Sequence, residues 1–126
     1  MENQGNSSYW EEFLRSDDEK QAADGMIKQV VKRNGTLERY DRWKIASAIG
    51  KAVRAVRGED DRETVEKLTD KTEEALQRVM RNRHPNSAPA IEEIQDLVES
   101  VLIEEKEVRI AKAYILYRAR HEVMRD

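Results

Sequence analysis

Asn34-Gly35 constrains this chain more than any other feature. It lies between two short β-prone runs, "MIKQVVKR" and "TLERY", and the patterned stretches after them read as helix. Both residues tolerate the left-handed backbone that a tight strand reversal needs, which makes the dipeptide a strong hairpin signal. A lone two-stranded hairpin is marginal in water, so it has to lie on the helices that follow. The register decides how. A two-residue turn puts Val31, Arg33, Thr36 and Glu38 on one face. A three-residue loop of Arg33-Asn34-Gly35, with Gly35 left-handed and forming a bulge, pairs Lys32 with Thr36 instead. It gathers Ile27, Val31 and Leu37 on one face and Lys28, Val30, Lys32, Thr36, Glu38 and Tyr40 on the other. The second register collects the larger apolar set together and is the one expected. The face bearing Val30 and Lys32 then looks outward or over a cleft.

Four helical patterns come next. Asp41 can cap the first, whose apolar positions are Ile45, Ile49, Ala52, Val53 and Val56. "RGEDD" interrupts, and a second helix starts near Arg62 with Val65, Leu68, Thr72, Leu76 and Val79. "RNRHPNSAP" is a loop held by its two prolines. The third helix, near Ala90 to Ile103, uses Ile91, Ile94, Val98, Val101 and Leu102. The fourth, from about Glu107, uses Val108, Ala111, Ile115 and Ala119, with Tyr114 and Leu116 beside the stripe. The expected fold is α+β and mainly α: a β-hairpin packed on a four-helix cluster, in one domain over residues 26–123. Residues 1–25 are mainly polar, with Tyr9, Trp10, Phe13 and Leu14 grouped in one short stretch, and read as a flexible or loosely docked arm. Three aromatics in five residues leave a partner-binding or self-docking turn as the alternative.

Composition narrows the function classes. The formal net charge of -3 argues against a generic polyanion binder, so any basic site must be local. The absence of cysteine excludes disulfides, a thiolate nucleophile and cysteine-ligated zinc. His84 and His121 are too few for a histidine-built metal site. There is no signal-peptide pattern and no apolar run long enough to span a bilayer, so a soluble, cytoplasmic protein with no membrane role is expected.

The stretch "VVKRNGTLERYDRWKI" carries what chemistry there is. Val30, Lys32 and Glu38 share a face, Arg33 adjoins them, and the first helix begins just beyond with its free N–H groups. Lys44 falls in that helix's first turn, where a cation is unfavourable by up to about 1 kcal/mol. A bound phosphate would suit both the helix terminus and the lysine. An ordinary charged hairpin with a solvated lysine explains the same residues. No GxxxxGK[ST], GxGxxG, paired-carboxylate, Ser/His/Asp or metal-ligand spacing is present, so the chain is not expected to be an enzyme or to hold a metal.

"VVKRNGTLERYDRWKIASAIGKAV", "IEEIQDLVESVLI" and "AKAYILYRARH", in that order and over roughly residues 28 to 121, resemble the ATP-cone domain. This is the allosteric nucleotide-binding module found at the N-terminus of many ribonucleotide reductases. The resemblance implies a small hairpin, or three-stranded sheet, over four helices, binding ATP or dATP with Mg2+ and controlling reductase activity or assembly. By motif position, Val30, Ile45 and Ile91 would wall the adenine. Lys32, Arg33 and Lys44 would hold the phosphates. Glu38 and Asp41 would contact the sugar or base edge, or fix the basic residues. Glu92 would contact the base, and Arg120 a phosphate. Gln95, Asp96 and Tyr114 read as packing and helix–helix hydrogen-bonding residues. The implied partners are an adenine nucleotide, a reductase catalytic or radical-generating subunit, and a second copy in a homo-oligomer.

Cysteine is missing, which excludes the zinc-ribbon repressor that carries the same module, and no catalytic barrel is present. The chain reads as a free-standing cone or a detached N-terminal piece. Asn34 stands where the family often has Asp. The competing reading is a helical module that contacts a protein or nucleic acid without nucleotide specificity, and the negative charge counts against nucleic acid. A hydrolase would have only Glu38 as its general base.

Overall fold

The computed structural model describes residues 27–125, so the expected arm over residues 1–25 lies outside the described residues. β1 (Gln29–Val31) and β2 (Leu37–Arg39) pair antiparallel, with Val30 opposite Glu38 and Val31 opposite Leu37. The reversal between them is the three-residue loop. Lys32 N–H donates to the Thr36 carbonyl at 2.8 Å, and Gly35 is left-handed at φ 89. The Asn34 side-chain oxygen accepts from the Thr36 N–H and hydroxyl, at 3.1 and 2.7 Å, and ties the loop shut.

The faces of this hairpin are used differently from the sequence expectation. Val30 is buried at 6% exposure, while Leu37 stands 58% exposed although the pattern grouped it with the inner set. Only Tyr40 and Asp41 separate β2 from the first helix, and this short link turns the Val30–Glu38 face towards the helices. The outer edge of β1 is covered elsewhere: Val31 N–H donates to the Pro89 carbonyl at 2.9 Å, and Val31 makes an isolated parallel bridge with Ala90. That single bridge is not a strand. The sheet has two strands, and the three-stranded alternative is corrected accordingly.

Among the described residues there are four helices: α1 (Arg42–Arg57), α2 (Arg62–Arg81), α3 (Ile91–Glu104) and α4 (Val108–Arg125). Asp41 caps α1 by accepting the Trp43 N–H at 3.0 Å, and left-handed Gly58 ends it. Asp61 caps α2 through the Thr64 N–H at 3.2 Å. The core joins Ile45, Ile49 and Val53 of α1, Leu68 and Leu76 of α2, Val98 and Leu102 of α3, and Ile110 and Tyr114 of α4. Each fully buried aliphatic side chain here contributes about 1.5–3 kcal/mol. Thr69 and Thr72 are buried too, their hydroxyls donating to the carbonyls one turn back.

In α4 the buried stripe is Ile110, Ala111 and Tyr114, whereas Val108 and Ile115 are 56% and 41% exposed. The helix is apolar on more than one side, so periodicity alone could not orient it. Packing against α1 and α3 makes the choice.

The α2–α3 loop is held by one carboxylate. Arg83 donates to Glu93 at 2.9 Å through one nitrogen and pairs with it through the other, and the Ala90 N–H donates to Glu93 at 3.0 Å. The Arg83 hydrogen bond, with that of Ala90, lowers the Glu93 pKa from 4.5 to about 2. A depressed carboxyl contributes stability above its unfolded pKa and loses it as pH falls towards the folded value. The melting temperature of Glu93→Gln should therefore fall less steeply than wild type between pH 4.5 and 2. Parallel slopes in thermal melts across that window would remove the clasp from the account.

Candidate functional site

The hairpin, α1, α3 and α4 enclose a cleft of about 370 Å³. Its apolar wall draws on every one of these elements, at positions that local periodicity turns inward. Val30 projects from β1, Ile45 from the first turn of α1, Ile91 and Ile94 from α3, and Tyr114 from α4. The hairpin brings Lys32, Arg33 and Glu38 to the same cavity, and the start of α1 adds Asp41 and Lys44. Asp41 is occupied as the helix cap, which holds the N-terminus of α1 rigidly against the cleft.

The cations are already partnered. Lys44 pairs with one oxygen of Glu38, and Lys32 lies 3.9 Å from the other. Arg33 Nε lies 3.7 Å from Glu92. The Lys44 ammonium therefore has a protein counter-charge in the first turn of α1, where the sequence offered no acidic residue. On α4, Arg118 donates to Asp96 and Glu99 of α3, both at 2.8 Å. Burial opposes the Arg118 charge, but these hydrogen bonds outweigh it and keep the guanidinium protonated. Burial pushes the neighbouring Tyr114 phenol well above its ordinary range, so it stays a neutral donor.

Of the ten residues singled out in the sequence, Val30, Lys32, Arg33, Glu38, Asp41, Lys44, Ile45 and Ile91 line the cleft. Glu92 is not part of the lining and stands behind Arg33. Arg120 is exposed and does not line the cleft, whereas Arg118 does. Two residues along a helix are about 200° apart, so they cannot share a face.

Sequence reasoning passed over several lining residues. Trp43 comes from α1, and Tyr117 and His121 from α4, the last two rings tilted at 45° with centroids 4.2 Å apart. Lys51 lies 5.5 Å over the Tyr117 ring. A signal was available, since Tyr114, Tyr117, Arg118 and His121 follow the i, i+3, i+4, i+7 spacing of one helix face. Gln95 also lines the cleft, and its side-chain oxygen is buried with no hydrogen-bond partner among the described residues. The expected helix–helix bond is made by Asp96 and not by Gln95. An unsatisfied buried acceptor costs about 1–3 kcal/mol. No cluster of three or more metal-ligating side chains occurs among the described residues, and no helix there is long and apolar enough to cross a membrane.

Comparison with known proteins gives this geometry a family. The chain is 39% identical over 106 residues, 80% of its length, to the vitamin B12-dependent ribonucleoside-diphosphate reductase of Thermoplasma acidophilum. It is 34% identical over 92 residues to the ribonucleoside-diphosphate reductase subunit alpha of Chlamydia pneumoniae. It spans only 13% and 9% of the lengths of those two proteins. Residues 28–123, from the hairpin into the last helix, match the ATP cone domain, and the chain belongs to the ATP-cone family.

Proposed function

We propose that this chain is an adenine-nucleotide-binding regulatory domain that takes ATP or dATP, with Mg2+, and controls a cytoplasmic ribonucleotide reductase. The observation that carries the reading is the juxtaposition in one cleft: an apolar slot of Val30, Ile45 and Ile91 beside Lys32, Arg33 and Lys44 at the N-terminus of α1. A purine base suits the slot. Phosphates suit the ammonium and guanidinium groups and the positive end of the helix dipole. Glu92 then acts through Arg33, and Arg118 stands where a contribution from Arg120 was expected. The partner is a catalytic or radical-generating reductase subunit, with a homo-oligomer as the assembled form. The domain has no catalytic step of its own.

ATP and dATP differ by one hydroxyl, and a site that does not hydrogen-bond it separates them weakly. Regulation therefore rests on how each nucleotide biases two arrangements of the domain. Thermal-shift and light-scattering titrations with ATP, dATP and GTP in parallel test this. Stabilisation by the adenine nucleotides, with a change of scattering for one of them, is expected. Equal response to GTP, or none to any nucleotide, would reject the reading.

A further inference from the structure

Among the described residues the outer side of α4 is an unpartnered face. Val108, Ile115 and Leu116 are 56%, 41% and 64% exposed, and Ala119 is exposed with them. Together with Lys112 they fall within an arc of about 100° on the helix, opposite the buried Ile110 and Tyr114. Arg109 and Arg120, both exposed, flank this stripe on one side. Apolar side chains grouped on one face, rather than scattered singly, mark an interaction surface. None of the stripe lines the cleft, so the nucleotide reading leaves it unexplained.

One segment of the chain matches the stripe in chemistry. Tyr9, Trp10, Phe13 and Leu14, outside the described residues, place three aromatics and a leucine within six positions. Residues 1–26 carry seven acidic and two basic side chains, a formal charge of -5, and the other 100 residues a charge of +2. α4 concentrates the opposite sign, with five lysines and arginines against Glu122 alone. Reach is no obstacle. The chain from Leu14 to Ile27 extends to about 43 Å. A domain of about 100 residues has a radius of gyration of about 13 Å, so every face lies within range.

We propose that the Tyr9–Leu14 segment of the same chain docks on the outer face of α4. Its rings cover Val108, Ile115 and Leu116, and the surrounding carboxylates meet Arg109, Lys112 and Arg120. A second copy pairing this face with its own would instead set positive charge against positive charge. The inference stands apart from the nucleotide reading, because it concerns the side of α4 away from the cleft.

Trp10 and Trp43 are the two tryptophans, so Trp43→Phe leaves Trp10 as the sole reporter in the full chain. Acrylamide quenching and emission maximum are measured in that background, alone and with Leu116→Glu, Lys112→Glu or Leu37→Glu added. Circular dichroism checks each fold, and Lys112→Glu decides if Leu116→Glu does not fold. Leu116→Glu should raise the quenching of Trp10 severalfold and shift its emission to the red, and Lys112→Glu should do so to a smaller extent. Leu37→Glu, at an equally exposed leucine on the hairpin, should change neither. Both readings should also hold on dilution, as an intramolecular contact requires. Trp10 equally quenched with and without the α4 substitutions, or released as readily by Leu37→Glu, overturns the proposal. Shielding that fades on dilution also overturns it, and assigns the face to the segment of a second copy.

Discussion

Arg42→Ala should destabilise the fold by about 3–5 kcal/mol, the cost of stranding a buried charge without its partner. Arg42 opens α1 yet is only 2% exposed. Its guanidinium pairs with Glu73 and donates to Asp70 at 2.7 Å, and the Tyr40 hydroxyl donates to the other Glu73 oxygen at 2.5 Å. These contacts join the end of the hairpin, the start of α1 and the middle of α2. Asp70 is 58% exposed on its side chain and contributes little, since solvent screens it. Glu73, 7% exposed, is the partner that matters. Removing the arginine leaves that carboxylate buried without its guanidinium counter-charge, although the Tyr40 hydroxyl still donates to it. For a domain of this size the loss lowers the melting temperature by roughly 10–20 °C. The double replacement Arg42→Met with Glu73→Met should recover most of it, because well-packed apolar residues of similar volume often replace a buried ion pair without loss. Chemical denaturation of the three variants decides. An Arg42→Ala protein within about 1 kcal/mol of wild type would show that the network is ornamental. Arg42 does not line the cleft, so nucleotide affinity of the folded fraction should survive.

The second large effect is at the cleft. Lys32→Ala and Lys44→Ala should each weaken ATP binding more than tenfold, and the double variant more than a hundredfold, since a hydrogen bond to a charged group contributes about 1.5–3 kcal/mol. The fold should persist. Both lysines are exposed and pair with Glu38, so the apolar core loses nothing when they are truncated. Calorimetry gives the affinity and circular dichroism the fold. Wild-type ATP affinity in both single variants would dismiss the phosphate assignment. Adenosine provides the internal control, because its contacts lie on the apolar wall and should be indifferent to either lysine.

Much of the fold was legible wherever the deciding interactions are local. The Asn34-Gly35 loop, the Asp41 cap and the apolar spacing of α1, α2 and α3 depend on residues within about four positions of each other. The sequence also points to Lys32, Arg33, Glu38 and Lys44 as one group, because a hairpin followed closely by a helix start leaves little freedom in placing them. What stayed hidden was rotational and long-range. The α4 face could not be chosen from a helix apolar on several sides, and so the lining role of Arg118 was not visible. Glu73 reads as one more solvated carboxylate until the chain brings Arg42 to it across 31 positions.

By itself, then, the sequence determines the secondary elements, the loop register and the identity of the cations at the mouth of the cleft. Backbone sterics and hydrogen bonds settle these over a few residues. Only the tertiary structure decides which hairpin face is buried, which side of α4 meets the cleft, and which carboxylate neutralises each cation. Those choices are made by packing and by charges meeting across elements, and neither exists until the helices have closed on the hairpin.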